Sequence, residues 1–136
     1  MGSYYSQVFV HLVWGTAGRR PLLTPDLWRL LNLRARGVSS DRRCVLLALG
    51  GTEDHVHGLV VLHPATSISS LVGSLKGETS GLFRRRGGPA DFRWQEGYGV
   101  FSFSPLALPR LDAYVRNQVE HHRRGDTIHA CEHSGL

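Results

Sequence analysis

The sequence predicts an α+β fold, a ferredoxin-like antiparallel sheet with helices on one face and an added C-terminal helix. Four stretches alternate apolar and polar residues with the period of two that a strand requires, and three others repeat apolar residues at helical spacing. Their order is strand, helix, strand, strand, helix, strand, helix, which is ferredoxin-like with one helix appended. At 136 residues and 41% hydrophobic content the chain is long enough for one core and short for two, and no internal repeat or linker divides it.

The first strand spans Tyr4 to Trp14. Val8, Val10, Leu12 and Trp14 make one apolar face, and Gln7, Phe9, His11 and Val13 make a mixed one. Gly15 to Pro21 is a basic, turn-rich loop. Thr24-Pro25-Asp26 then supplies an N-cap, a proline at the first helical position and an acid in the first turn, so a helix is expected to about Arg36, closed by Gly37. Cys44 to Leu49 is the second strand, ended by Gly50-Gly51, and the third carries His55 and His57 and ends near His63-Pro64. Ser67 opens a second helix with Ile68, Leu71, Val72, Leu75, Thr79, Leu82 and Phe83 on one stripe. After the break at Gly87-Gly88-Pro89, Phe92 to Gly99 is a loop dense in aromatics and glycine, suited either to stacking bases or to plugging the edge of the core. Val100 to Ser104 is the fourth strand, Pro105 to Pro109 a turn, and Arg110 to Arg124 the last helix.

Charge narrows the choice of partner. Sixteen Lys and Arg against eleven Asp and Glu leave +5, and fifteen of the sixteen are Arg. Guanidinium binds phosphate bidentately and stacks on bases, so the bias suits a nucleic-acid partner, although a GC-rich genome would also produce it. No apolar run approaches bilayer-spanning length and the N-terminus lacks the pattern of a secretory signal, so a cytoplasmic protein with no membrane role is expected. Two cysteines, Cys44 and Cys131, do not make a disulfide framework.

Two constellations carry chemistry. His55 and His57 are separated by one residue, which on a strand puts both imidazoles on one face while Val56, Gly58, Val60 and Leu62 pack the other. Such a pair can hold one cation on a rigid strand, although an isolated His-x-His is more often two polar residues at a strand entrance. On the last helix Tyr114, Gln118 and His121 share a face at i, i+4 and i+7, beside an apolar stripe of Leu111, Val115 and Val119. A phenol with a pKa of about 10 is a poor nucleophile at neutral pH, so attack on a phosphodiester needs a cation that favours the phenolate and polarises the phosphate. A half-buried tyrosine with its hydroxyl in water is the bland alternative. Lys76, Arg84, Arg85 and Arg86 lie outside the buried stripe of the second helix or just beyond it, where they are either DNA-binding phosphate contacts or solvated charges. Leu59 and Val61 fall on the His-bearing face and need cover that one small domain is not expected to supply, so a dimer is expected.

Three motifs, in order, carry a family resemblance: Asp54-His55-Val56-His57; Trp94-Gln95-Glu96-Gly97-Tyr98-Gly99 with Phe101-Ser102; and Tyr114 to His122. From about Tyr5 to His122 the chain resembles the single-tyrosine HUH transposases of bacterial insertion sequences, relatives of the REP-associated tyrosine transposases. The resemblance implies a single domain over residues 1–124, with Tyr114 as nucleophile and His55, His57 and Gln118 as ligands of Mg or Mn. It implies cleavage and rejoining of single-stranded element ends through a 5′-phosphotyrosine, recognition of imperfect DNA hairpins, and a homodimer whose tyrosine helices act in trans. Residues 125–136 depart from the pattern and are expected to be a disordered or truncated tail, with His129, Cys131 and His133 no metal cluster.

Other classes fit less well. A histidine-triad nucleotide hydrolase would need a third alternate histidine where Leu59 stands. Replication initiators and relaxases share the chemistry but are usually larger. The non-enzyme alternative is a domesticated module that binds single-stranded hairpins without cleaving them.

Overall fold

The computed structural model describes residues 5–118. Strands β1 (Val8–Gly15), β2 (Val45–Gly51), β3 (His55–Leu62) and β4 (Gly99–Ser102) form one antiparallel sheet of order β2-β3-β1-β4. Helices α1 (Pro25–Asp41) and α2 (Ile68–Arg85) cover one face, and α3 (Leu108–Arg116) packs on the other. The predicted class, the order of elements and the central place of the His-bearing strand are all present.

Alternation along the strands decides which face each helix meets. Val10, Leu12 and Trp14 of β1 and Val56 and Val60 of β3 are buried with Leu27, Leu31 and Ala35 of α1 and Leu71, Leu75 and Phe83 of α2. Burying each leucine or valine side chain contributes about 2 kcal/mol, so this layer is the principal core. The smaller cluster on the opposite face joins Ala48 and Leu59 to Leu111 and Val115 of α3. Leu59 is therefore fully buried within one chain, while Val61 on the same face is only partly buried.

The helix expected to close at Gly37 continues to Asp41. Val38 and Ser39 beyond it are buried, and the Ser39 hydroxyl donates to the Ala35 carbonyl at 2.8 Å. A glycine inside a helix costs about 1 kcal/mol, less than burial of Val38 returns, so tertiary packing carries the helix through. α1 stops where Arg43 turns left-handed at φ 60°. The first strand starts at Val8, later than the expected Tyr4, and the fourth ends at Ser102. α3 starts at Leu108, before the expected Arg110, and ends at Arg116 with Asn117 as its C-cap; of the expected span to Arg124, residues 119–124, with His121, and the tail lie outside the described residues.

A β-bulge at Leu47 interrupts the β2–β3 pairing, with Leu46 opposite Val60 and Ala48 opposite Leu59. It sends Leu46 and Leu49 to the main core while Leu47 and Ala48 both meet the α3 side. The bulge leaves a carbonyl outside the ladder. The Leu47 oxygen accepts from the Arg116 guanidinium at 3.2 Å, which ties α3 to the sheet.

The aromatic loop plugs the core. Phe92 packs edge-on against Phe83 and Trp94, with ring centroids 4.9 and 5.0 Å apart, and Trp94 donates its indole N–H to the Thr79 hydroxyl at 2.9 Å. Both rings are buried, so neither offers a face for a base to stack on. Among the described residues no helix is long and apolar enough to cross a membrane.

Candidate active site between the sheet and the last helix

His55 and His57 both lie on the α3 side of β3 and are almost fully buried, with their rings edge to face at a centroid distance of 5.1 Å. His55 is held from behind. Its Nδ1 lies 2.8 Å from the Asp54 carboxylate and 2.8 Å from the Thr52 hydroxyl. Asp54 in turn pairs with Arg19 at 3.4 Å. Burial pushes the Asp54 carboxyl up, but the hydrogen bond with His55, the Arg19 charge, the His55 charge and the Thr52 hydroxyl together outweigh it and hold the carboxyl below its ordinary value. An ionised carboxylate only accepts, so the Asp54 contact places a proton on Nδ1 of His55, and Nε2 points to Gln118.

Gln118, just past the end of α3, meets that atom. Its amide nitrogen donates to the Tyr114 carbonyl at 3.0 Å, which turns Oε1 towards His55 Nε2 at 3.3 Å. Both residues are buried. With Nδ1 protonated, Nε2 of a neutral His55 and the amide oxygen each offer a lone pair, two donors that one cation could bridge. Donors that share one small divalent ion at about 2.1 Å sit about 3.0–3.4 Å apart, so the observed spacing fits such an ion. Among the described residues no group of three His, Cys, Asp or Glu side chains could hold a metal ion, so a metal site here would need the amide beside the imidazole pair.

Tyr114 is buried, with its ring edge to face against His57 at a centroid distance of 5.9 Å. The phenol thus stands beside the imidazoles and not out in water. Close approach of α3 depends on Gly50, because a Cβ there would overlap the Val115 carbonyl. All four candidate side chains belong to the one chain described. His55, His57, Tyr114 and Gln118, chosen from spacing and resemblance, are all brought together.

The basic candidates are not part of this cluster. Lys76 donates from Nζ to the Gln95 carbonyl at 2.9 Å and to the Gly97 carbonyl, and Arg84 donates to the Phe92 carbonyl at 2.8 Å. These two side chains hold the 92–97 loop. Burial lowers the pKa of Lys76, against a smaller opposing pull from Glu96. Arg85 at the end of α2 and Arg86, its C-cap, are exposed, on the far side of the sheet. Tyr98 is partly buried against the main core, Tyr5 is exposed at the start of the described chain, and Tyr4 lies outside it.

Comparison with known proteins decides the family. The family described as transposase, IS200-like, matches residues 4–118. The chain belongs to the IS200-like transposases. It is 24% identical, over 124 residues, to the transposase for insertion sequence element IS200 of Salmonella typhimurium, covering 87% of this chain and 81% of that one. The corresponding protein of Salmonella typhi matches to the same extent. A crystal structure of a candidate transposase from Deinococcus radiodurans R1 superposes with a TM-score of 0.67 at 25% identity, over 87% of this chain and 95% of the other. A REP-associated tyrosine transposase bound to a REP hairpin shares the fold, with a TM-score of 0.66 at 15% identity over 93% and 74% of the two chains. The activity the family implies is DNA cleavage and strand transfer in transposition.

Several residues of this IS200-like transposase gained no role from the sequence. Asp54 sits inside the quoted motif and Thr52 two residues before it, but only folding shows that both reach His55. His11 lies on the mixed face of β1, and its Nε2 is 2.8 Å from His57 Nδ1. The adjacency of β1 and β3 in a ferredoxin-like sheet was the available signal. Gln95 lies over Gly15, where a Cβ would come 2.6 Å from its Oε1, and Gly15 is the cross-strand partner of His55.

Proposed function

We propose that this transposase cleaves and rejoins single-stranded DNA ends with Tyr114 as nucleophile and His55, His57 and Gln118 as the ligands of Mg or Mn. The observation that supports this best is the facing pair of His55 Nε2 and Gln118 Oε1, buried 3.3 Å apart. A divalent ion bound there would polarise the scissile phosphate and favour the phenolate. Asp54 and Thr52 fix the His55 ring, and Gln118 is fixed by the Tyr114 backbone. Tyr114 Oη bonds to phosphorus as the bond from phosphorus to the 3′ oxygen breaks; the phenol proton is balanced by the one gained on the free 3′ hydroxyl. A 5′-phosphotyrosine results, and reversal of the same step rejoins ends without external energy.

The substrate is a hairpin in single-stranded DNA. The Arg-rich charge and the hairpin in the structurally similar REP-associated transposase support this choice. The working unit is a homodimer, which light scattering at micromolar concentration tests. For the function as a whole, a labelled single-stranded hairpin oligonucleotide is incubated with protein and Mg or Mn, with chelator as control. Metal-dependent nicking with a denaturant-resistant adduct is expected. Hairpin binding with neither nick nor adduct would leave a binding module in its place.

A further inference from the structure

His57 has a buried polar partner at its Nδ1, as His55 has, but of different chemistry. His11 Nε2 lies 2.8 Å from His57 Nδ1, the rings 5.0 Å apart, and both side chains are buried. The two residues are diagonal neighbours across the β1–β3 ladder, since Val13 faces His57 and His11 faces Leu59. Phe101 of β4 borders the His11 ring at a centroid distance of 6.1 Å.

Two facing imidazole nitrogens form a hydrogen bond only if one carries the proton and the other a lone pair. If neutral His11 donates, neutral His57 must hold its own proton on Nε2, and its site-facing nitrogen is blocked. If His57 donates, its Nε2 presents a lone pair. The position of one proton thus decides whether His57 can act as a ligand. We propose that His11 is a positioning residue that accepts the Nδ1 proton of His57, fixing the tautomer and ring orientation in which Nε2 faces the site. Resting on the metal reading of the site, this assigns the two imidazoles separate supports, an anion for His55 and a neutral ring for His57. A ligating imidazole commonly has such a partner behind it.

The test starts on the metal-free full chain. Long-range proton–nitrogen NMR of 15N-labelled protein, with His57 assigned by its absence from His57→Gln, reads which nitrogen is protonated. Nδ1–H on His57 is expected, and a neutral Nε2–H tautomer in the wild type overturns the proposal without any variant. Calorimetry with Mn then compares wild type, His11→Leu and His11→Gln, each checked for its melting temperature. His11→Leu should bind Mn about ten- to a hundredfold more weakly, and His11→Gln, whose amide oxygen can accept the same proton, should recover most of that loss. A folded His11→Leu with wild-type affinity, or a His11→Gln no tighter than His11→Leu, also overturns it. Should the wild type hold the Nδ1–H tautomer and yet bind no Mn, the metal reading fails while the orientation by His11 stands.

Discussion

Gln118 is tied to Tyr114 through the backbone: its amide nitrogen donates to the Tyr114 carbonyl, one helical turn back, at 3.0 Å. A substitution confined to the Tyr114 ring keeps that carbonyl in place, so the two roles can be tested separately.

Tyr114→Phe removes one oxygen and leaves the backbone bond to Gln118 in place. Mn and hairpin affinities should stay within about twofold of wild type while cleavage and adduct fall below detection. The same substitution at Tyr5 or Tyr98 should leave the adduct intact. An adduct that survives Tyr114→Phe and disappears with another tyrosine would reassign the nucleophile.

Asp54→Asn takes the negative charge from behind His55 but keeps a group of the same shape. Loss of such an outer partner typically weakens metal binding about tenfold or more, so Mn calorimetry should show at least that drop in a protein that still melts cooperatively. Unchanged affinity would confine Asp54 to its ion pair with Arg19.

Gly50→Ala puts a methyl group against the Val115 carbonyl. Backbone cannot yield as a side chain can, so α3 should lift from the sheet at a cost of about 2 kcal/mol. Because α3 carries Tyr114 and leads directly into Gln118, cleavage should fall far more than the melting temperature. Wild-type cleavage by this variant would mean that α3 need not dock as closely as the structure shows.

The basic residues of α2 should divide into two kinds. Arg85→Ala and Arg86→Ala, at exposed positions, should weaken hairpin binding and each lower the salt slope by about one. Lys76→Met and Arg84→Met leave loop carbonyls without their donors, so a fall in thermal stability should dominate. Titration of hairpin DNA at several salt concentrations, beside melting curves, separates the two; a salt slope unchanged in Arg85→Ala and Arg86→Ala places the DNA on another surface.

The sequence alone determined what short-range patterns encode. Period-two alternation placed the strands and put His55 and His57 on one face; helical spacing put Tyr114 and Gln118 one turn apart; Thr24-Pro25-Asp26 began α1 where it does begin. These depend on residues within a few positions of each other, and local geometry suffices for them. The tertiary structure alone decided the rest, because contacts made across the sheet have no local signature. Burial of Val38 carried α1 past Gly37, the bulge at Leu47 aimed a carbonyl at Arg116, and packing of Phe92 and Trp94 used an aromatic loop as core. Lys76 and Arg84 went to loop carbonyls for the same reason, since a buried peptide oxygen needs a donor and charge counting does not show which cation will be near it. His11 and His57 are 46 positions apart, and only the β1–β3 pairing brings their nitrogens within 2.8 Å.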